Sequence, residues 1–417
     1  MAGKLDGVWG SWPFGWTGGQ YSIFRVLLGG FLLSHFVQLS LWAWDLPSGF
    51  VLAVTCVAAV ASLLFIVGLA DKWAALYLGF ILVYLYGLNP ALPKASVTPL
   101  VWMLLAHLLM RRAPYGSLAA RARPDPGAGW RFPAALVLGT WLLLAWSYLL
   151  AGQSLTFGPQ TVAGVFLPDV FPDPYLREYV SPDLLGSLPP FLVDALELKA
   201  MLVGYLFPLF MMFDRVRVWF WCALFATQMC IAFLVDFAGA SIVLLLIHLF
   251  AFDPGWIRSR KPPERATLFY DGTCALCHRL ARFVLAEDTD ERITFSPLQS
   301  KFFRAAFTAE ERAGLPDSIV LKSDVGLLLE SDAAIRILKM LGGMWLVLAV
   351  FLGAFPRRWR NAGYRFVGER RYRLFGRTET ACPVVPPRLQ SRFREKSLEA
   401  IEPFSPSAWA NSLRDKA

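Results

Sequence analysis

The sequence predicts two unlike parts: an α-helical integral membrane domain of about eight spans over residues 1–255, and an α/β domain over residues 264–380. The chain of 417 residues is 56% hydrophobic and only 17% charged, which is rare for a soluble protein of this length. Most of the apolar runs come before residue 253, and much of the charge comes after it. In the charged part, Cys274 and Cys277 follow a short apolar run. These observations predict a membrane domain followed by a domain that carries a dithiol.

The membrane domain is predicted from apolar runs, several of them near the lower limit of about 17 residues for crossing a hydrocarbon core of about 30 Å. The predicted spans are 22–42, 49–70, 73–89, 96–110, 132–151, 196–213, 217–235 and 237–252. Arginines cluster after the fourth, sixth and eighth spans, whereas the segment 152–193 after the fifth span is acidic. By the positive-inside rule we expect both termini in the cytoplasm and 152–193 outside, in a bacterial inner membrane.

Ionisable side chains inside the spans are candidates for function, because a charge within a membrane is costly to keep. They are Arg25, His35, His107 and His248, with Glu197 and Lys199 near the start of the sixth span. Two interpretations stay open for the histidines: they bind a metal or relay protons, or each makes a hydrogen bond between helices. Arg25 either takes part in function or anchors the end of its span by reaching to the interface. The residues therefore predict no definite metal site and no definite cofactor.

Two short motifs in this half carry a resemblance to a known family. Tyr21 to Arg25 opens the first span, and Tyr148 to Gly152 closes the fifth. With these motifs the half resembles the HTTM region of the vitamin K-dependent γ-carboxylase-like family, which implies a helical membrane architecture and a quinone or lipid as a candidate ligand. The family commonly has a lysine where this chain has Leu155, and a histidine near Gln228. Without the lysine base for proton abstraction, the resemblance implies the architecture rather than carboxylation.

The C-terminal part alternates between strand and helix patterns. The predicted elements are a strand at 265–270, a helix at 277–287, a strand at 293–296, a helix at 301–313, strands at 318–321 and 326–330 around a turn at Ser323-Asp324, and a helix to Leu341 with Ser331 as its N-cap. This β-α-β-α-β-β-α order, with a dithiol after the first strand, predicts a thioredoxin-like fold.

The two cysteines of this domain stand where a strand, a tight Asp-Gly turn and a helix start meet. Helix amides and the helix dipole lower the pKa of the first thiol, and the second thiol lies one turn on, within disulfide reach. We therefore expect Cys274 to be an exposed attacking thiolate and Cys277 the resolving thiol. Asp271 is either a turn residue or a carboxylate that moves a proton to or from Cys277. The cysteines of the apolar runs are expected to be small buried thiols: Cys56, Cys222 and Cys230.

A longer set of residues in fixed order runs through this part. It consists of Tyr270 to Gly272, Cys274, Cys277, Asp288, Pro297 to Ser300, Ser331 to Ala333, Leu341 to Gly343, Pro356-Arg357, Tyr364-Arg365 and Arg370 to Arg373. With this set the chain resembles the DCC-type thiol-disulfide oxidoreductase-like domains, which implies thiol–disulfide exchange by the two cysteines. In thioredoxin folds a cis-proline faces the dithiol, and Pro316 is the candidate. Together with His278, it is predicted to contact the substrate.

Other interpretations of the cysteines stay open. Cys274 to His278 matches the C-x-x-C-H pattern of c-type haem attachment, which needs an extracytoplasmic domain, whereas the arginine pattern puts this domain inside. A zinc site needs a second pair of ligands, and only Cys382 and distant histidines remain. The pair also fits a degenerate thiol pair in a binding module.

The leading prediction is a membrane-bound thiol–disulfide oxidoreductase whose partner is an unidentified disulfide protein or small thiol. Reduction of the substrate is favoured because the cytoplasm is reducing. One alternative is a redox-sensing membrane protein that binds or transports a ligand. The other is a lipid- or quinone-modifying membrane enzyme with a polar cavity around the histidines of the spans.

The remaining segments concern the membrane surface. The apolar run 341–355 is too short to predict a span, so we expect a helix buried in the domain or lying against the membrane domain. The arginine-rich segment 357–376 suits anionic lipid headgroups. Such segments explain the net charge of +9, so membrane lipids are predicted partners and nucleic acid is not. Residues 381–417 are expected to form a poorly ordered tail.

Overall fold

The computed structural model describes residues 15–47, 49–88, 97–110, 113–121, 123–157, 189–234, 240–257, 264–316, 318–324, 326–378, 383 and 385–394. Most of the segment predicted to lie outside, and the end of the tail, fall outside these residues. The chain divides into two compact units. Among the described residues, the first unit lies within 23–112 and 132–253, and the second lies within 15–22, 113–131 and the chain from 254 onward.

The N-terminal half is helical because its runs of Leu, Ala, Val and Phe are interrupted mainly at Gly, Pro and Asp. The helices are α1 (Gly18–Trp44), α2 (Gly49–Val67), α3 (Asp71–Leu88), α4 (Val97–Leu109), α5 (Leu118–Arg121), α6 (Ala134–Phe157), α7 (Pro190–Phe210), α8 (Asp214–Leu234) and α9 (Ala240–Ala251). The short helix α5 and the first turn of α1 belong to the second unit.

A helix stands at each of the eight predicted spans. In the described part of the chain, two of these helices, α1 and α2, are long and apolar enough to cross a membrane. The core helix of a soluble protein and a signal sequence satisfy the same criterion. The eight spans and the orientation of the termini therefore stay predictions.

The cysteines of the apolar helices correct one expectation from the sequence. Cys56, Cys222 and Cys230 are exposed rather than buried. The helices that carry them are apolar on every side, so their sequences give no stripe from which the buried face can be read.

The second unit contains a four-stranded mixed sheet with helices. Its strands are β1 (Ala266–Tyr270), β2 (Ile293–Pro297), β3 (Val320–Ser323) and β4 (Gly326–Leu329). They are arranged in the order β2-β1-β3-β4, with β2 parallel to β1, and with β3 antiparallel to both β1 and β4. Because β1 is a central strand, its side chains are buried alternately on the two faces. Leu268 and Tyr270 join a core that includes both cysteines, and Phe269 packs with Phe303 and Phe307 on the other face.

The helices of this unit differ from the predicted ones in their number and in their first residues. They are α10 (Ala275–Glu287), α11 (Lys301–Ala306), α12 (Ala309–Gly314), α13 (Glu330–Leu341), α14 (Gly343–Gly353), α15 (Arg357–Phe375) and α16 (Pro387–Gln390). The predicted helix 301–313 is two helices, because Thr308 starts a new one with a capping box to Glu311. Ser331 is not an N-cap: α13 begins one residue earlier, and the Ser331 hydroxyl donates to Asn361 Oδ1.

The apolar run 341–355 contains the separate helix α14. It starts at Gly342 and Gly343, whose φ angles of 71° and 56° break the chain direction after α13. Within the helix, only Gly343 and Ala349 are buried. The expectation that this helix is buried in the domain is therefore wrong.

The beginning of the tail is part of the fold. The N–H of Phe295 donates to the Arg392 carbonyl oxygen, and the N–H of Arg394 donates to the Phe295 carbonyl oxygen, both at 2.9 Å. The ring of Phe393 stacks on Phe295, with 5.2 Å between the centroids. Arg392 also pairs with Asp288 at 2.5 Å. The stretch 387–394 thus packs beside β2, where the sequence predicted a poorly ordered tail.

Candidate functional site

The dithiol lies on the turn between β1 and α10. Asp271 Oδ1 accepts a hydrogen bond from the Thr273 N–H at 2.9 Å, so the side chain closes the turn on itself. The Gly272 N–H donates to Gln299 Oε1 at 3.1 Å. Cys274 is the N-cap of α10, with extended backbone angles. The Asp-Gly pair therefore reverses the chain, and the cap places the first sulfur at the amide end of the helix.

The pKa values of the two thiols are shifted in opposite directions. The Cys277 N–H donates to Cys274 Sγ at 3.4 Å. The pKa of Cys274 is lowered to about 7, first by the hydrogen bond from the Cys277 thiol and then by this N–H and the charge of Arg371, against the effect of burial. The pKa of Cys277 is raised, because its proton is shared with Cys274 and because it is buried. Cys274 is therefore the thiol that ionises first.

Cys274 is not exposed, which corrects the sequence-based expectation. Its accessible surface is 0%, whereas 9% of Cys277 remains accessible. The chain after α15 runs antiparallel to the dithiol turn, with Cys274 opposite Arg377. The Ala275 N–H donates to the Gly376 carbonyl oxygen at 3.3 Å, and the Thr378 N–H donates to the Thr273 carbonyl oxygen at 2.9 Å. We call this segment, Gly376 to Thr378, the strap.

Asp271 is surrounded by donors. Its Oδ1 also accepts from Thr273 Oγ1 at 2.9 Å and from Gln299 Nε2 at 3.0 Å. Its Oδ2 accepts from the Tyr372 hydroxyl and from Arg371 Nη2, the latter at 3.4 Å. Burial acts to raise the pKa of Asp271, but the hydrogen bonds, that of Tyr372 first, lower the pKa below its ordinary value. The side chain is thus an ionised carboxylate that ties α15 to the dithiol turn.

Comparisons with known proteins agree with this geometry. The model of the DCC1-like thiol-disulfide oxidoreductase family matches residues 268–377. The uncharacterised protein YuxK of Bacillus subtilis is 33% identical over 139 residues, which are 32% of this chain and 97% of YuxK. This chain belongs to the DCC family. A chloroplast DCC family protein of Arabidopsis thaliana is 32% identical over 120 residues, 28% of this chain and 69% of that protein. No solved structure matches the chain.

Pro316, the proline expected to face the dithiol in the cis form, does not have a cis peptide bond. Among the described residues there is no cis peptide bond, so the bond before Pro316 is trans. At the approach to β3, the Ile319 N–H donates to the Tyr364 hydroxyl at 3.1 Å. Tyr364 packs against the core cluster that contains both cysteines, and burial raises its pKa to about 12. A tyrosine of α15 therefore stands beside the dithiol core at this point.

His278, predicted to contact the substrate, is buried and turned toward the dithiol turn. Its Nε2 lies 2.9 Å from the Gly272 carbonyl oxygen, a distance at which the protonated nitrogen donates. Its ring meets Tyr270 edge-on, with 6.0 Å between the centroids. These contacts hold the Asp-Gly turn against α10.

Arg25 and His107, candidates in the first unit, meet at an acid that the sequence analysis did not single out. Asp71 Oδ2 lies 3.7 Å from Arg25 Nη1 and 3.3 Å from His107 Nε2. Arg25 is buried, so the interpretation that it reaches to an interface is wrong. The three side chains link α1, α3 and α4.

The other two histidines have separate partners. His35 Nε2 lies 3.2 Å from the Tyr86 hydroxyl, and His248 Nε2 lies 2.8 Å from the Tyr148 hydroxyl. His248 Nδ1 also lies 2.6 Å from the Leu244 carbonyl oxygen. Across the described chain, no group of three or more His, Cys, Asp or Glu side chains is arranged to hold a metal ion. The observed contacts agree with hydrogen bonds between helices.

Sequence reasoning gave Gln299, Arg371 and Tyr372 no role at the dithiol. It assigned the segment that contains Arg371 to lipid headgroups, whereas Arg371 is buried against Asp271. All three belong to the family-matching set, and their order in the sequence was the signal available. Their partner, Asp271, precedes Arg371 by 100 positions, so no local pattern joins them.

Proposed function

We propose that this protein is a membrane-associated thiol–disulfide oxidoreductase in which Cys274 attacks and Cys277 resolves. The observation that carries the proposal is the asymmetric pair. Cys274 caps a helix, accepts the Cys277 N–H and has a pKa of about 7, while the pKa of Cys277 is raised. The sheet order β2-β1-β3-β4, with the dithiol after β1, supports a thioredoxin-like fold for the DCC domain.

The proposed reaction transfers two electrons to a substrate disulfide. The Cys274 thiolate attacks one substrate sulfur, so a mixed disulfide forms and the first substrate thiolate leaves. Cys277 then attacks Cys274 Sγ, which forms the Cys274–Cys277 disulfide and releases the second substrate sulfur, and the proton of Cys277 passes to a departing substrate thiolate. The substrate is reduced and the enzyme oxidised. A dithiol reductant, protein or small molecule, must then regenerate the pair.

Asp271 acts as a positioning residue in this mechanism rather than as the base that deprotonates Cys277. Its oxygens already accept hydrogen bonds from Thr273, Gln299, Tyr372 and Arg371, and its pKa is lowered, so it has little tendency to take up a proton. The carboxylate instead fixes Arg371 near the dithiol, where the cation favours the thiolate. Pro316 and His278 are proposed to act on the substrate only through the backbone that they position, Pro316 before β3 and His278 at the Asp-Gly turn.

Part of the domain must move before a protein disulfide reaches Cys274, because the sulfur has no accessible surface. We propose that the strap, which pairs with the dithiol turn, is that part. The hydrogen bonds that hold the strap are those of Ala275 and Thr378 to backbone oxygens. We place the domain in the cytoplasm, with a thiol or disulfide protein as partner, and the first unit in a membrane with lipid or quinone as its candidate ligand.

The test is to trap the mixed disulfide in the native membrane. Cys277→Ser removes the resolving thiol, so a substrate joined to Cys274 is expected to accumulate and to be identified by mass spectrometry. The matched control is Cys274→Ser, which removes the attacking thiol and leaves the rest of the site. An adduct absent from this control supports exchange. If no adduct forms, and alkylation of Cys274 has a midpoint near the ordinary thiol pKa of about 8.5, the proposal is wrong.

A second candidate function is redox sensing by a membrane protein that binds or transports a ligand. The complete burial of Cys274 favours it, because a sensor does not need to admit a protein substrate. In that case oxidation of the pair is expected to change the protease sensitivity of the first unit without producing a trapped adduct. An exchange enzyme is expected to give the adduct without that change.

A further inference from the structure

An apolar face is exposed on two consecutive helices of the second unit and on the short connection between them. Val350, Phe351 and Trp359 are 62%, 61% and 61% accessible, and Val347 and Phe355 are also exposed. The rings of Phe351 and Phe355 are in contact, with 5.3 Å between their centroids. We call these five side chains the apolar face of α14 and α15. A soluble domain rarely leaves such a contiguous group uncovered.

The length of α14 decides how it can meet a membrane. Its 11 residues extend over about 16 Å, roughly half of a hydrocarbon core. A helix of this length does not span. It can lie in the plane of the interface with its apolar side chains below the headgroups, as interfacial helices do.

The first turn of α14 lies close to the first turn of α1, the first candidate membrane helix. Both segments donate hydrogen bonds to one carboxylate. Glu287 accepts hydrogen bonds from the Thr17 hydroxyl, from the Gly19 N–H at 2.7 Å, and from Trp345 Nε1 at 2.6 Å. Gln20 Oε1 accepts the Met344 N–H at 3.1 Å. If α1 enters a membrane from its first turn, α14 begins at the same interface.

The charge around the apolar face identifies the lipid. α15 contains seven arginines and one glutamate, and three of the arginines, Arg360, Arg365 and Arg371, pair with acids of the domain. Arg357, whose side chain is 72% accessible although it pairs with Asp332, and the exposed Arg358 directly precede Trp359. Arginines beside a tryptophan at an apolar boundary fit the phosphate headgroups of anionic lipid, because basic residues near such a surface are attracted to its negative potential.

We propose that the apolar face of α14 and α15 lies in the boundary between headgroups and acyl chains of an anionic membrane, with Arg357 and Arg358 at the phosphates. The DCC domain is thereby held on the lipid surface by its own residues, independently of the chain that links it to the first unit. The proposal rests on the membrane association stated under the proposed function.

The experiment uses the full chain in lipid nanodiscs made of phosphatidylglycerol and phosphatidylcholine, with doxyl-labelled lipid as quencher. Three variants each keep a single cysteine, labelled with a fluorophore. Val350→Cys reports on the apolar face. Native Cys56, exposed on α2, reports on membrane insertion. Ala313→Cys, exposed on α12 of the second unit, is the aqueous reference. We expect doxyl quenching at Val350→Cys to be at least about threefold that at Ala313→Cys.

The outcomes separate this proposal from the membrane association on which it rests. Quenching at Cys56 without quenching at Val350→Cys overturns the proposal alone. Absence of quenching at both positions overturns membrane association, and the proposal with it. Protection of Val350→Cys from aqueous iodide without doxyl quenching indicates that protein, rather than lipid, covers the face and overturns the lipid assignment. Equal quenching in pure phosphatidylcholine overturns the anionic specificity.

Discussion

The two ends of the dithiol helix α10 are built around buried carboxylates that behave oppositely. At its N-terminal end, hydrogen bonds outweigh burial and lower the pKa of Asp271. At its C-terminal end, burial outweighs the hydrogen bonds from Thr17, Trp345 and Gly19 and raises the pKa of Glu287. One end holds a charge beside a redox pair, and the other joins the domain to the first turn of α1. Burial alone therefore does not decide whether a carboxylate is charged; the balance between burial and its hydrogen-bond donors does.

The largest effect is expected at the charged end. Asp271→Asn replaces an oxygen that accepts hydrogen bonds with an amide nitrogen that donates, so that one or two of the donors around it lose their acceptor. We expect a loss of about 3 kcal/mol in the free energy of unfolding at pH 7, because hydrogen bonds to charged groups contribute about 1.5–3 kcal/mol each. The measurement is denaturant unfolding of the full chain in detergent, in which the unfolding transition of the DCC domain is monitored.

The exposed Asp290, which pairs with Arg292, provides the control. Asp290→Asn removes the same charge from the same domain and is expected to change stability by less than about 0.5 kcal/mol. The wild-type stabilisation by Asp271 has a defined sign with pH. Because the folded pKa is lowered, the stabilisation is present above the unfolded pKa and is lost as the pH falls through the folded pKa. Equal effects of the two substitutions would show that Asp271 is only a turn residue.

A smaller effect is expected on the pKa of Cys274, at the same end of α10. Arg371→Met keeps most of the side-chain volume but removes the cation that favours the Cys274 thiolate. The midpoint of Cys274 alkylation with pH is expected to lie at about 7 in the wild type and to rise in the variant. Alkylation at pH 7 then slows by roughly two- to fivefold. The neighbouring Arg370→Met, at an exposed arginine paired with Glu369, should leave the midpoint unchanged. An unchanged midpoint in both variants would remove Arg371 from the mechanism.

The parts of this site that follow from local sequence were predictable. A strand, an Asp-Gly turn and a cysteine pair at a helix start lie within about a dozen residues, and turn and cap chemistry act over that distance. Asp271 as a turn residue and Cys274 as the first thiol both follow from such patterns. The strand order along the chain does so as well, because each strand has its own short apolar run.

The pairing of the strap with the dithiol turn was not predictable, because the strap comes from the other end of the domain. Gly376 to Thr378 lie about a hundred positions after Cys274, and no sequence pattern states that the two segments pair. Glu287 looks like an ordinary polar end of a helix until residues 17–19 pack on it. Ser331 failed as an N-cap for a related reason: Glu330, with a φ of 49°, already starts the helix. Long-range contacts decided the first two cases, and a local backbone angle decided the third.

The smallest effect is expected at the end of α10 that meets α1. Glu287→Gln removes a charge that burial already disfavours, at the cost of a hydrogen-bond acceptor for one of its donors. We expect stability to fall by about 1 kcal/mol at pH 5 and by less at pH 8. The sign follows from the raised folded pKa: the contribution of Glu287 is fully present below the unfolded pKa and is lost as the pH rises through the folded pKa, whereas glutamine does not titrate. Thermal unfolding from pH 5 to 8, with the exposed Glu310→Gln as control, measures this difference. A loss that grows with pH would mean that Glu287 is held as a charge, as Asp271 is, and that the two ends of the helix are alike.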